Sequence, residues 1–244
     1  GKTTTLYSTL KSLATDEVNV CTIEDPIEMV EDSFNQMQVQ ENIDLHFADG
    51  IRALLRQDPD IIMIGEIRDL ATAEMAIQAS LTGHFVLSTI HTNDAPSVPT
   101  RLIDMGVQPF LIASSLIAAL AQRLIRVLCE NCKVPHEVTD FDLNVMGIEK
   151  MPKGAQLFAP KGCQKCGSTG YSGMTSVCEL LMITDDVRSL ILDKADASAV
   201  KKAAVSHGMI TLRQDALIKV TSGVTSIEEM VRAINSEEHD EQEG

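Results

Sequence analysis

The first residues of the sequence, Gly1-Lys2-Thr3, match the end of a phosphate-binding loop. In the motif G-x-x-x-x-G-K-[ST], backbone N–H groups at a helix N-terminus surround the phosphates, the lysine reaches the β- and γ-phosphates, and the hydroxyl binds Mg²⁺. The earlier residues of the motif lie outside this sequence, so we expect the chain by itself to bind nucleotide poorly and to be inactive. For Lys2 considered alone, the alternative to phosphate binding is a solvated terminal lysine.

An apolar run ending in an acid follows later in the sequence, where Ile61–Ile64 leads into Gly65-Glu66. This pattern is typical of the second nucleotide-binding motif, because Mg²⁺ and its waters need carboxylates and an attacking water needs an acceptor to orient it. Many ordinary strands also end in glutamate. In combination with Lys2 and Thr3, the pattern predicts a site for nucleotide hydrolysis.

Two further strand-like segments, ending at Ile23 and Thr89, are followed by polar residues with possible chemistry. These residues are Glu24, Asp25, Glu28 and His91. The plain alternatives are a solvated acidic turn at Pro26 and a hydrogen-bonded structural histidine. A position at strand ends favours the functional interpretation, because ligands of parallel sheets bind at the carboxyl ends of the strands.

Helices and strands alternate along the first half of the sequence, as parallel α/β folds require. We expect strands at 18–23, 36–40, 61–64 and 85–89, and helices at 3–13, from Asp49 to Leu55, at 70–81, at 94–106 and at 110–128. The sequence therefore predicts an α/β fold with a mainly parallel sheet and helices on both faces. All the polar strand ends would then meet at one crevice.

Two Cys-x-x-Cys pairs form a tetracysteine set, namely Cys129 with Cys132 and Cys163 with Cys166. Four thiolates suit tetrahedral Zn²⁺, and the absence of an open coordination position predicts a structural rather than a catalytic metal. The alternative is four reduced free thiols in a surface loop. Paired spacing in a sequence that shows no signal peptide favours the metal.

From Glu179 onward, the pattern of apolar residues and capping signals again predicts helices. Asp196 and Gly208 would bound one helix, and capping boxes at Thr211 and Ser226 would start two more. The resulting domain prediction is a nucleotide-binding core at 1–128, a metal-binding subdomain at 129–173, a helical subdomain at 174–235 and an acidic disordered tail at 236–244.

Composition limits the partners of the chain. Its 244 residues carry a net charge of -15, which argues against non-specific binding to nucleic acid or to anionic lipid. The longest uncharged run, from Met105 to Gln122, is interrupted by Gly106 and Pro109 and is too short in its apolar part to cross a bilayer.

Four stretches together resemble the secretion ATPases that assemble type IV pili and the pseudopili of type II secretion. They are Gly1–Thr5, the acidic segment Thr22–Glu28, the pair Leu55–Asp60 and Gly65–Asp69, and a histidine-containing segment made of Thr82–His84 and Ser88–Ala95. Ala121–Leu124 and the tetracysteine set also agree. The resemblance extends from Gly1 to about Arg232.

This resemblance implies a RecA-like P-loop ATPase core that uses ATP and Mg²⁺ and holds a structural Zn²⁺. It also implies a homo-hexamer on the cytoplasmic face of the bacterial inner membrane, working with a platform protein and a linker protein. The implied nucleotide-binding residues are Gly1, Lys2, Thr3, Thr4, Glu24, Asp25 and Arg56. The implied catalytic residues are Glu66, Glu28 and His91, the last as a sensor of the γ-phosphate.

Several alternatives stay open at the level of the sequence. The motifs do not separate secretion from pilus assembly, nor do they decide whether Glu66 or Glu28 orients the water. The tetracysteine set favours a role in pilus assembly or protein export, since pilus retraction motors, which are otherwise similar to this family, lack such a set. A zinc-stabilised interaction module with an inactive nucleotide site and a RecA-like nucleic-acid translocase are the two rival functions.

Overall fold

The computed structural model describes residues 1–235. In chain order, the elements of the first part are α1 (Lys2–Leu13), β1 (Val20–Glu24), β2 (Asn35–Gln38), α2 (Phe47–Leu54), β3 (Ile61–Ile64), α3 (Leu70–Leu81), β4 (Phe85–Ser88), α4 (Ser97–Asp104) and α5 (Pro109–Ser115). They are followed by β5 (Ala118–Leu128), β6 (Val134–His136), α6 (Asp140–Met146), β7 (Leu157–Ala159), β8 (Tyr171–Met182), α7 (Asp185–Leu192), α8 (Ala197–Ser206), α9 (Leu212–Thr221) and α10 (Ile227–Asn235).

Strands β1 to β4 form one sheet in the order β2-β1-β3-β4, with every adjacent pair parallel. The register pairs Ile23 with Ile64, and Ile64 with Ser88. Neighbouring strands therefore end at the same edge of the sheet. This confirms the parallel α/β fold that the alternation of helices and strands predicts.

Both faces of this sheet are covered, and every residue of β1 and β3 is buried. On one face Ile64 belongs to a core cluster with Ile51 of α2 and Ala79 of α3. On the other face Met63 packs with Tyr7 and other apolar residues of α1. Successive strand residues point to opposite faces, which is why the unbroken apolar run at 61–64 fits this position.

Helix α2 lies very close to the sheet. A Cβ atom added to Gly50 would fall 1.7 Å from Cδ1 of Ile23, so any other residue there would force the Ile23 side chain to move. The prediction that Asp49 caps this helix is wrong, since the helix begins at Phe47 with His46 at the N-cap and Asp49 lies in its first turn. The Phe47 ring packs against the sheet core, which extends the apolar face of the helix by two residues beyond the expected start.

The expected long helix at 110–128 is also wrong. Helix α5 ends at Ser115, and residues 118–128 form β5, which pairs with β8. Alanine and leucine gave the segment a high intrinsic helix propensity, but pairing with β8 overrides it. The strand shows alternate burial at its start, where Ala119 and Ala121 are buried and Leu120 is exposed.

The chain is not helical from Glu179, because β8 continues to Met182. The later capping predictions are confirmed in part. The Asp196 side chain accepts a hydrogen bond from Ala199 N at the start of α8, and Thr211 forms a reciprocal capping box with Gln214. At the start of α10, Glu229 N donates to Ser226 Oγ over 3.2 Å.

Two compact units make up the chain. One contains residues 2–119 and 181–207, and the other contains Gly1, residues 120–180 and the described residues from Gly208 onward. The four-part domain organisation expected from the sequence draws other boundaries and stays a prediction. Its acidic tail at 236–244 lies outside the described residues. Within residues 1–235, every helix is too short or too polar to span a bilayer.

Candidate functional site

A cleft lies at the carboxyl edge of the four-stranded sheet. It encloses about 660 Å³ of empty space, counting its opening to solvent. Its walls come from the start of α1, from the loops after β1, β3 and β4, and from the start of α2. The lining residues include Lys2, Thr3, Tyr7, Glu24, Asp25, Glu28, Gly65, Glu66, Thr89 and His91. The structure thus brings together most of the residues that the sequence singled out.

Helix α1 begins at Lys2, and Lys2 and Thr3 line this cleft, so the N-terminus of the helix lies at the cleft. Its first turn carries no acidic residue. A helix N-terminus of this kind attracts anions, because its free N–H groups and its dipole are both positive there. Gly1 and Thr4 are not among the lining residues, and Gly1 lies beside Leu124.

Glu66 is held two residues beyond the end of β3. Gly65 N donates to Ile23 O over 2.8 Å, and Thr89 Oγ1 donates to Gly65 O over 2.7 Å, so both neighbouring strands fix the turn. The Glu66 side chain is only 14% exposed and forms an ion pair with Arg68. This pairing raises the pKa of Arg68, chiefly through the hydrogen bond to Glu66.

One oxygen of Glu66 has a free acceptor position. Glu66 Oε2 is buried and accepts no hydrogen bond from any described residue, while the exposed His91 ring places its Nε2 3.4 Å away. A buried carboxylate oxygen without a donor is costly unless water or an ion supplies a partner. The atom therefore fits contact with a bound water or with a hydrated cation.

The acid cluster at the end of β1 divides into buried and exposed members. Asp25 and Glu28 are exposed at the cleft, whereas Glu24 is only 4% exposed. Tyr7 Oη donates to Glu24 Oε2 over 2.7 Å, and Thr22 Oγ1 donates to Glu24 Oε1 over 2.6 Å. Glu24 is thus held by the protein itself.

Sequence reasoning missed Tyr7, Thr22 and Arg68 as members of this site. Tyr7 could have been found, because it is one of only two tyrosines in the chain and falls on the buried face of α1. Thr22 lies inside an apolar strand, where a lone hydroxyl indicates an internal partner. Arg68 stands two residues after Glu66, and only the turn after β3 makes the two side chains meet.

Two other residues lie away from the cleft. Arg56 is exposed just after α2, next to Gln57, whose carbonyl accepts a hydrogen bond from Asn19 at the start of β1. It therefore sits at the amino edge of the sheet, and a nucleotide-contacting role for it stays a prediction. His84 Nδ1 lies 2.9 Å from Ala79 O, an arrangement that fits a structural histidine.

The four predicted metal ligands converge in the second unit. The sulfur atoms of Cys129, Cys132, Cys163 and Cys166 all lie within 4.8 Å of one another. Three of the separations are 4.0 Å between Cys129 and Cys163, 3.9 Å between Cys132 and Cys166, and 3.8 Å between Cys163 and Cys166. In a tetrahedral site with Zn–S bonds of about 2.3 Å, sulfur atoms lie about 3.8 Å apart, so the cluster fits Zn²⁺.

Backbone N–H groups around the second cysteine pair donate hydrogen bonds that stabilise the thiolate form, which is the form that binds a cation. Cys163 N and Gly170 N each donate to Cys166 Sγ over 3.2 Å, and these hydrogen bonds outweigh burial and lower the pKa of Cys166 to about 6. Burial raises the pKa of Cys132 to about 12, so this thiol differs from Cys166 in the absence of a cation. Gly162 has φ +91, and a Cβ there would fall 2.6 Å from Ser168 O.

The parallel sheet and its strand-end cleft define a RecA-like α/β fold, and comparison with known proteins places the chain within it. The sequence profile of the type II/IV secretion system protein family matches residues 1–232. The chain belongs to that family, which confirms the resemblance drawn from its motifs.

Two curated relatives illustrate the similarity. The chain is 54% identical over 243 residues to the type IV pilus assembly ATPase TfpB of Acinetobacter baylyi, an alignment covering 96% of the chain and 40% of the relative. It is 47% identical over 232 residues to type II secretion system protein E of Aeromonas hydrophila, covering 95% of the chain and 46% of the relative. The chain thus spans less than half the length of these relatives.

Solved structures agree with the fold. The pilus retraction motor PilT with bound ADP is 26% identical and superimposes with a TM-score of 0.68, covering 99% of this chain and 60% of that one. The ATPase DotB of Legionella pneumophila is 25% identical with a TM-score of 0.69, covering 97% of this chain and 57% of that one.

Proposed function

We propose that this chain is the ATP-hydrolysing core of a bacterial motor that drives type II secretion or type IV pilus assembly. The single observation that carries the proposal is the convergence of Lys2, Thr3, Glu66 and His91 in one cleft at the carboxyl edge of a parallel sheet. An amine, a hydroxyl, a carboxylate and an imidazole at such an edge match the needs of a triphosphate and a hydrolytic water. The names of the relatives support the same activity.

The position of each residue in the cleft indicates its role. Lys2 and the helix N-terminus of α1 would bind the β- and γ-phosphates and stabilise the charge that develops on them. Thr3, with carboxylates of the cleft, would hold Mg²⁺, which when bound supplies positive charge to the phosphate oxygens. His91, 3.4 Å from Glu66 Oε2 and open to solvent, would contact the γ-phosphate and report its presence to Glu66.

We assign Glu66 the task of orienting the attacking water. Its Oε2 is buried and accepts no hydrogen bond from the described part of the chain, while its Oε1 is paired with Arg68. A water held there would pass its proton toward the carboxylate as it attacks the γ-phosphorus in line with the leaving oxygen. Glu28 is an exposed residue of the same cleft and would complete the polar shell around the cation and its waters.

The tetracysteine cluster has a structural role in this proposal. Four thiolates complete a tetrahedral shell, so no position is left for a substrate or a water. When bound, the metal would join the end of β5 to the loop before β8, because Cys129 follows the first and Cys166 precedes the second.

The remaining features concern assembly. We propose a homo-hexamer that works at the cytoplasmic face of the inner membrane with a platform protein and a linker protein. The names of the relatives as pilus and secretion components support a place in such a machine. The net charge of -15 speaks for attachment through protein partners and against nucleic acid.

The test of the proposal is steady-state ATP hydrolysis by protein that carries a complete phosphate-binding loop. Glu66→Gln keeps the shape of the side chain but removes the negative charge, and we expect kcat to fall by about 100-fold or more. Glu74→Gln, on the exposed face of α3, is the matched control and should retain the activity.

Other outcomes of this test would support other interpretations of the chain. Activity of Glu66→Gln near that of the unmodified protein would overturn the catalytic assignment. A zinc-loaded protein that neither binds nor hydrolyses ATP would support the interaction module, and strong stimulation by nucleic acid would support the translocase.

A further inference from the structure

A closed hydrogen-bond network joins α1 to the acidic loop after β1. Tyr7 Oη donates to Glu24 Oε2 over 2.7 Å, and Thr22 Oγ1 donates to the other carboxylate oxygen over 2.6 Å. Gln36 Nε2 lies 2.9 Å from Tyr7 Oη and 2.9 Å from Met29 O. The Tyr7 hydroxyl is also 2.9 Å from Met29 O.

The protons of this network can be assigned so that each has one acceptor, while Gln36 Nε2 also lies 3.2 Å from Glu24 Oε1. Tyr7 and Thr22 each supply one proton to Glu24, and the two amide protons of Gln36 go to Tyr7 Oη and Met29 O. Tyr7 is 2% exposed and Glu24 is 4% exposed, so solvent does not compete for the hydrogen bond between them. Burial, together with Glu24, raises the pKa of Tyr7, and the phenol therefore stays a donor at physiological pH.

The network connects two parts of the candidate site. Lys2 and Thr3 begin the helix that carries Tyr7 five residues later. Glu28 immediately precedes Met29, whose carbonyl the network holds. A displacement of α1 along its axis would thus be transmitted to the loop that carries Glu28 through the buried hydroxyl group of Tyr7.

We propose that Tyr7 is a positioning residue, which sets the loop carrying Glu28 relative to the phosphate-binding start of α1. It touches neither the phosphates nor the attacking water, and it acts through Glu24 and Met29. Glu24, with its oxygens already held by protein donors, would serve the same positioning role and would not be a direct ligand. The inference rests on the proposed ATPase function and adds to it the link between nucleotide binding and the acidic loop.

The alternative is that this network contributes only to stability. The second tyrosine of the chain gives a matched comparison, since Tyr171 is 8% exposed and its hydroxyl lies 2.7 Å from Ser226 Oγ. Tyr7→Phe and Tyr171→Phe each remove one buried hydroxyl and leave the ring in place. A purely structural role predicts a lower melting temperature for both and a normal kcat for both.

The experiment compares these variants in ATP hydrolysis and in thermal unfolding, with protein that carries a complete phosphate-binding loop. We expect Tyr7→Phe to lower kcat about tenfold, equivalent to about 1.4 kcal/mol, while KM for ATP changes less than about twofold. A kcat of Tyr7→Phe within about twofold of the unmodified protein would overturn the proposal, as would an equal fall in Tyr171→Phe.

A second variant covers the case in which Tyr7→Phe does not fold. Gln36→Met removes the donor to Met29 from a half-buried position and should also lower kcat with little change in KM, and an unchanged kcat would contradict the inference. If the unmodified protein itself does not hydrolyse ATP, the proposed function fails and the positioning role fails with it. If it is active and both variants match it, only the positioning role fails.

Discussion

Replacing Glu229 by glutamine should destabilise the unit that contains α10. The Glu229 side chain is fully buried and accepts hydrogen bonds from the side chain of Arg126 over 2.6 and 2.9 Å. Arg232 adds two more over 2.6 and 2.9 Å, and Arg126 N donates over 2.8 Å. The Arg126 guanidinium also lies over the Tyr171 ring, with its carbon 4.1 Å from the ring centre.

The magnitude follows from the pKa of the carboxyl group. Burial alone would raise the pKa of Glu229, but the hydrogen bonds from Arg232 and Arg126 outweigh it and lower the pKa to about 2 from an ordinary value of 4.5. A difference of this size corresponds to about 3 kcal/mol. Breaking a buried ion pair costs about 3–5 kcal/mol, and both guanidinium groups reach solvent, so we expect a loss near the lower end of that range.

The sign of the pH dependence is fixed by the direction of this shift. Because the pKa is lower in the folded state, the stabilisation is fully present above about pH 4.5 and is lost as the pH falls toward 2. Glu229→Gln has no such carboxyl group and should lack this part of the acid dependence. The difference between the two proteins should therefore shrink as the medium becomes acidic.

Urea unfolding followed by tyrosine fluorescence measures this effect. The chain has no tryptophan and two tyrosines, so in a Tyr7→Phe background Tyr171 reports on its own cluster. Glu228→Gln, at the exposed neighbouring position, is the control and should change the free energy of unfolding by less than about 0.5 kcal/mol. A loss below about 1 kcal/mol for Glu229→Gln at pH 7, or a difference that stays constant from pH 6 to 3, would refute the reasoning.

Two further predictions concern the same unit. Elemental analysis should find one zinc per chain, and Cys166→Ser should lose it while Cys178→Ser, outside the cluster, keeps it; metal retained by Cys166→Ser would contradict the site. Thr211→Ala should lower the free energy of unfolding by about 1 kcal/mol in urea titrations, because it removes the N-cap acceptor of Gln214 N, and no measurable change would argue against the cap.

Most of the parallel sheet could be predicted from local patterns. The run Ile61–Ile64 is apolar at every position, and the structure buries all of it between two layers of helices. Residues 118–128 could not be assigned in this way, because alanine and leucine favour a helix locally while the partner strand β8 begins more than 40 residues later. Pairing over such a distance leaves no local pattern in the sequence.

The candidate site was predictable where residues follow strand ends. Glu66 and His91 meet because parallel strands deliver their carboxyl ends to one edge. The Tyr7 network was not predictable, since it depends on a helix residue, a strand residue and a loop carbonyl that only the packed fold brings together. Glu24 and Glu28 look alike in sequence, and burial alone separates them.

The most direct measurement is a structure of the protein, with a complete phosphate-binding loop, bound to Mg²⁺ and a non-hydrolysable ATP analogue. We expect the β- and γ-phosphates to contact Lys2 and the start of α1, with the γ-phosphate within reach of His91 and one water between it and Glu66. A nucleotide bound elsewhere, or phosphates that touch neither Lys2 nor the carboxyl edge of the sheet, would contradict the proposed site.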